Sequence, residues 1–132
     1  EIYAENESVA DLLVSDLSFI SLTKVLENLK TLLNPEYHEM VCLIKPQFEA
    51  GKEKVEKGGV VRSRQTHKEV IDTVLNFAEN LGYAVKGLTY SSIKGPSGNI
   101  EYLVWLEYGS SNKYDTINIE SVVNEAFEKL NQ

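Results

Sequence analysis

Apolar positions change their spacing along this chain, and each change predicts an element. Leu12, Leu13 and Val14 lie in a short unbroken run at residues 11–15, the pattern of a strand buried on both faces. From residue 21 the spacing opens to Leu22, Val25, Leu26, Leu29, Leu32 and Leu33. That is one stripe along a helix over 21–33, and Asn34-Pro35 stops it. A second unbroken run, Met40-Val41-Cys42-Leu43-Ile44, predicts a buried strand over about 39–45. Residues 46–62 carry no period and are punctuated by Gly51, Gly58 and Gly59. They read as a long loop, and loops of this length are usually functional or disordered. Helical spacing returns over 63–81, with Val70, Ile71, Val74, Leu75, Phe77, Ala78 and Leu81 inward and Gly82 placed as the C-terminal cap. Residues 83–90 predict a strand, 91–99 a Gly/Pro/Ser turn region and 100–108 a further strand. Asn118 is placed to cap a last helix with the stripe Ile119, Val122, Val123, Ala126, Phe127 and Leu130.

Strands alternating with amphipathic helices imply right-handed crossovers and an α/β sheet, mostly parallel, with helices on both faces. The last two strands have no helix between them, so one of that pair runs antiparallel. The 132 residues amount to one domain. The first ten show no clear period and read as a cut into something longer.

Charge narrows the function. The net charge of −7 argues against a nucleic-acid module working by bulk attraction. Between Lys45 and Lys68, however, seven basic residues face three acidic ones, whereas six face seventeen elsewhere. A basic loop on an acidic body is a local docking surface or a solvated loop. The one cysteine, Cys42, excludes an internal disulfide and reads as a core thiol. No apolar stretch reaches the roughly 18 residues of a membrane span, and no signal-peptide pattern opens the chain. A reducing cytoplasm fits.

The candidate chemistry lies at strand ends. Ligands of open α/β sheets bind beyond the carboxyl ends of the parallel strands. Asp16 and Lys45 fall at such ends. Glu101 begins the last strand, and if that strand is the reversed one, its start lies at the same edge. Burial would favour a neutral Lys45, a base; neighbouring acids would favour the ammonium, a fixed cation. Taken singly, Asp16 also reads as a helix-entry cap and Glu101 as a strand-edge charge. Ser18 and Ser21 read as caps. His38 and His67 have no partner at metal-ligand spacing, so no metal is expected. The stretch Gly95-Pro96-Ser97-Gly98-Asn99 is either a backbone surface for a phosphate or cofactor, or a plain turn.

Four segments together resemble the TlyA family, hemolysin-like proteins with an FtsJ-type methyltransferase domain. They are Asp16-Leu17-Ser18-Phe19-Ile20-Ser21-Leu22, Leu43-Ile44-Lys45-Pro46-Gln47-Phe48-Glu49-Ala50-Gly51, Gly58-Gly59-Val60-Val61-Arg62, and Ile93 to Glu101. The resemblance covers about residues 10–108. It implies an S-adenosylmethionine-dependent 2′-O-methyltransferase acting on ribosomal RNA, with a Lys-Asp-Lys-Glu tetrad. Asp16, Lys45 and Glu101 match its second, third and fourth members, and Asp16 would also face the cofactor. Lys52, Lys54, Lys57, Arg62 and Arg64 become candidates for RNA contact.

By this resemblance the chain is the C-terminal half of a Rossmann-like methyltransferase sheet, without the cofactor-binding half and an S4-like RNA-binding domain. Weak or no cofactor binding by this piece alone is the expectation, with self-association through an exposed first strand. A membrane-active hemolysin and a non-catalytic interaction module are the alternatives. The ordinary core-facing helix stripes and acidic charge count against the first.

Overall fold

The computed structural model describes residues 12–15, 32–109 and 113–130. The helix predicted over 21–33 lies outside them except for its last two positions. Leu32 sits in a turn and Leu33 is buried in the core. Asn34 then turns the chain, its Oδ1 accepting from the backbone N–H of Glu36 (2.9 Å) and Tyr37 (3.4 Å).

Among the described residues four strands form one sheet: β1 (Leu12–Ser15), β2 (His38–Ile44), β3 (Tyr83–Tyr90) and β4 (Tyr102–Tyr108), in the order β1-β2-β4-β3. β1 pairs with β2 in parallel, whereas β4 runs against both of its neighbours. Among the described residues there are one parallel and two antiparallel ladders, with β4 the one reversed strand. Position explains this. The reversed strand lies inside the sheet, between β2 and β3, so it sets the sense of two ladders instead of one.

Along β2 the side chains alternate as strand geometry requires. His38, Met40, Cys42 and Ile44 are buried, and the residues between them are half-buried. Opposite them on β4 stand Leu106, Val104 and Tyr102. The predicted loop over 46–62 instead begins with the one-turn helix α1 (Pro46–Glu49), followed by a 3₁₀ turn at Lys52–Lys54. The long helices are α2 (Arg64–Asn80) and α3 (Ile119–Leu130). Their starts follow from their caps: Ser63 Oγ accepts from Thr66 N, and Asn118 Oδ1 from Ser121 N. α2 ends at Gly82, whose φ of +98° suits a residue without a side chain.

Val70, Ile71, Val74 and Ala78 of α2 and Val123, Ala126 and Phe127 of α3 share one core with Met40, Cys42, Ile44, Val104 and Leu106. Each large apolar side chain buried there contributes about 1.5–3 kcal/mol. Burial pushes the Cys42 thiol up to about 12, so it stays protonated in the core. Helices were expected on both faces; among the described residues α2 and α3 occupy the same one. On the other face Val14 lies beside Val41, Val41 beside Trp105, and Leu43 beside Leu103. There Leu12, Val14 and Trp105 are 58%, 72% and 44% exposed. The run containing β1 therefore does not form a strand buried on both faces.

Candidate active site at the strand ends

Lys45 stands immediately after β2. A residue before proline is held out of the helical region, and Lys45 is extended (φ −115°, ψ 99°) with Pro46 opening α1. Its carbonyl accepts from Phe48 N (2.9 Å) and Glu49 N (3.1 Å), locking the strand-to-helix junction. Glu101 precedes β4 by one residue instead of lying within it, and its carbonyl accepts from Ser91 N at 2.8 Å. Ile44 is opposite Tyr102 in the antiparallel ladder, so Lys45 and Glu101 are the next pair beyond it. Lys45 Nζ and Glu101 Oε2 are 3.9 Å apart, and both residues are 5% exposed. A charged pair this deep is costly to desolvate and is weak evidence for stability; it points to a function.

Gln47, and Gly95 and Asn99 from the Gly/Pro/Ser turn, complete this arrangement, although none was a candidate site residue from the sequence. Gln47, on the first turn of α1, donates its Nε2 to Glu101 Oε2 at 3.0 Å. Its Oε1 is buried and has no hydrogen-bond partner. Gly95 backs the same carboxylate so closely that a Cβ there would overlap Glu101 Oε2. Asn99, 1% exposed, ties the flanking loops together. Its Oδ1 accepts from Val61 N (3.0 Å), and its Nδ2 donates to the carbonyls of Gly59 (2.8 Å) and Pro96 (3.3 Å). The stretch from Gly95 to Asn99 is thus a turn tied down by Asn99, with Gly95 placed against Glu101. Only the absence of a side chain at Gly95 carried a signal in the sequence.

Asp16 lies outside the described residues. Lys52, Lys54 and Lys57 are exposed on the loop that leaves this edge. Arg62 is 3.8 Å from Glu56. Arg64 is spoken for by helix packing: its guanidinium lies 5.0 Å from the Phe127 ring centroid and donates to Asn124 Oδ1 at 3.2 Å. Both histidines are core residues. His38 bridges the Asn34 carbonyl and Tyr83 Oη, each at 2.7 Å. His67 bridges the Val61 carbonyl (2.8 Å) and Tyr102 Oη (2.7 Å).

A second polar cluster occupies the opposite ends of β2 and β4. Tyr37 Oη lies between Glu39 (2.7 Å) and Glu107 (2.8 Å) and shares its one hydrogen with them, Trp105 Nε1 donates to Glu39 (2.7 Å), and Tyr114 Oη donates to Glu107. Lys86 lies 4.0 Å from the Trp105 ring centroid and 3.2 Å from Glu39. The Tyr37 hydrogen bond, with those from Trp105 and Lys86, outweighs desolvation and holds the Glu39 carboxyl below its ordinary range. These groups answer one another.

The sequence profile of the FtsJ-like methyltransferase family matches residues 2–108. The chain belongs to the FtsJ-like methyltransferase family. It is 40% identical over 116 residues to the 16S/23S rRNA (cytidine-2′-O)-methyltransferase TlyA of Mycobacterium tuberculosis, covering 88% of this chain and 43% of that one. It is 46% identical over 93 residues to a candidate rRNA methyltransferase of Bacillus subtilis, YqxC, covering 70% and 33%. A solved structure of a candidate hemolysin from Streptococcus thermophilus superposes with a TM-score of 0.82 at 39% identity, covering 92% of this chain and 44% of that one. The chain therefore spans about a third to under half of the curated relatives' length.

Membership in the FtsJ-like family implies S-adenosylmethionine as methyl donor. The described residues at the strand ends bring together a lysine amino group, a carboxylate and an amide. Among the described residues no helix is long and apolar enough to cross a membrane.

Proposed function

We propose that this chain carries the proton-handling side of a ribosomal RNA 2′-O-methyltransferase. The observation that carries the reading is the buried Lys45–Glu101 pair, 3.9 Å apart at the edge where α/β folds bind ligands. The names of the FtsJ-like relatives supply the reaction class. When bound, S-adenosylmethionine supplies a methyl group on a sulfonium sulfur. The 2′-oxygen forms the new C–O bond as the S–C bond breaks, and the hydroxyl proton must leave. Lys45 Nζ takes that proton and passes it to water. Glu101 holds the lysine, and Asp16 is assigned by its place in the motif to the same group and to the cofactor side. Water exclusion and alignment account for the rest of the rate. Lys52, Lys54, Lys57 and Arg62 form the phosphate-contacting part of the basic loop, Arg64 serving mainly to seat α3.

Transfer of labelled methyl groups to ribosomal subunits by the protein from its complete gene tests this. Lys45→Met should lower kcat by about 10²–10⁴-fold, the range for a positioned general base. Because it leaves Glu101 buried without its partner, the variant should also lose stability, so activity is compared at a temperature where circular dichroism shows both proteins folded. Activity within threefold of wild type would remove Lys45 from the reaction.

A further inference from the structure

Gln47 has an amide whose two ends meet different fates. Its Nε2 is committed to Glu101 Oε2 at 3.0 Å. That bond fixes the orientation, because the opposite flip would set the amide oxygen against a carboxylate. The remaining end, Oε1, is buried and without a donor. Buried acceptors are nearly always satisfied, and an orphan in a native structure calls for an explanation. No other buried side-chain nitrogen or oxygen among the described residues is left in this state. The orphan lies beside the Lys45–Glu101 pair, on a helical turn held by the Lys45 carbonyl. Such an acceptor selects for a ligand that brings a hydrogen.

We infer that Gln47 Oε1 accepts a hydrogen bond from the 2′-hydroxyl of the target nucleotide and so distinguishes ribose from deoxyribose. This rests on the proposed methyl transfer. Within an RNA chain the 3′-oxygen is esterified, so the 2′-hydroxyl is the one ribose hydroxyl with a hydrogen to donate. Turned toward Gln47, the hydrogen leaves the oxygen's lone pairs for the incoming methyl group. The proton passes to Lys45 only as the new bond forms. Gln47 thus acts in the resting complex, and its loss should weaken binding of the hydroxyl more than it slows chemistry. One amide serves both tasks, orienting Glu101 and receiving the substrate.

The test compares affinities of the protein from its complete gene for two versions of one short RNA. One is all ribose; the other is 2′-deoxy at the nucleotide that the wild type methylates. The wild type should prefer the ribose version by about tenfold, one satisfied against one unsatisfied hydrogen bond. Gln47→Met, close in shape but without an acceptor, should bind both versions alike. Gln47→Leu should do the same if the methionine variant proves unstable. In kinetics the KM for RNA should rise more than kcat falls. An equal preference in wild type and variant, or none in the wild type, would overturn the role of Gln47. Failure of the wild type to methylate any ribosomal RNA would instead sink the reading beneath it. The ribose preference, measured on a mixed-sequence RNA and its DNA counterpart, would then still decide whether Gln47 reads a hydroxyl.

Discussion

Glu101 Oε2 is held from three sides: Gln47 donates to it, Lys45 faces it, and Gly95 leaves room for it. The third contact makes a clean prediction. Gly95 has φ −77° and ψ −171°, backbone that any residue adopts. A methyl group there would strain nothing in the main chain and would displace only the end of a flexible side chain. Gly95→Ala should therefore fold with a melting temperature within a few degrees of wild type and lose about 100-fold in methyl transfer, since small misplacements of catalytic groups cost this much. Full activity in Gly95→Ala would show that the position of Glu101 does not matter. Only part of this was legible from residue types. Lys45 and Glu101 stood out as charges at the ends of apolar runs, whereas Gln47 and Asn99 sit in stretches without period. Only the three-dimensional fate of their amides gives them meaning.

At the level of elements, α2 is tied to the sheet through His67, which is buried between the Val61 carbonyl, Tyr102 Oη and the Phe127 ring. Desolvation lowers its proton affinity, and the hydrogen bond that its Nε2–H donates to the Val61 carbonyl offsets only part of that. Because the folded-state value is depressed, the unfolded chain binds the proton more readily. The stability this contributes is present above about pH 6.5 and is lost as pH falls below it. Urea unfolding should show stability falling as the pH drops below about 6.5, with a slope of at most about 1.4 kcal/mol per pH unit for this one proton. In His67→Gln that part of the slope should vanish, at some cost in stability at neutral pH. Identical slopes in the two proteins would mean that His67 is not the group responsible.

The helices α2 and α3 and the strands β2 and β3 were readable from their apolar positions, and the cap at Asn118 because a short polar side chain serves that geometry, whereas α1 fell in an expected loop and the Ser63 cap was not singled out. The ladder pattern was not readable in the same way. Period-2 burial fixes which side chains face the core, not which strand lies next to which. That β4 inserts between β2 and β3 depends on where the chain returns after the 91–99 turn.

For the whole molecule, the apolar run at β1 misled for a related reason. An unbroken run records that both faces are apolar; it does not say what covers each. Leu12 and Val14 are exposed on the face that also carries Val41, Leu43, Leu103 and Trp105. The charge distribution matches the placement of the candidate site. The basic segment leaves the strand ends where Lys45 and Glu101 meet, and the acidic remainder disfavours indiscriminate binding of nucleic acid. A protein of this kind would hold RNA locally, at the loop beside the reacting hydroxyl.

The central claim, that this edge serves methyl transfer to a ribose oxygen, is tested most directly by nucleoside mass spectrometry. Ribosomal RNA is incubated with S-adenosylmethionine and the protein from its complete gene, then digested to nucleosides. A 2′-O-methylated nucleoside should be present with the wild type and missing with Lys45→Met. Methylation on a base, or the same 2′-O-methyl nucleoside formed undiminished by Lys45→Met, would contradict it.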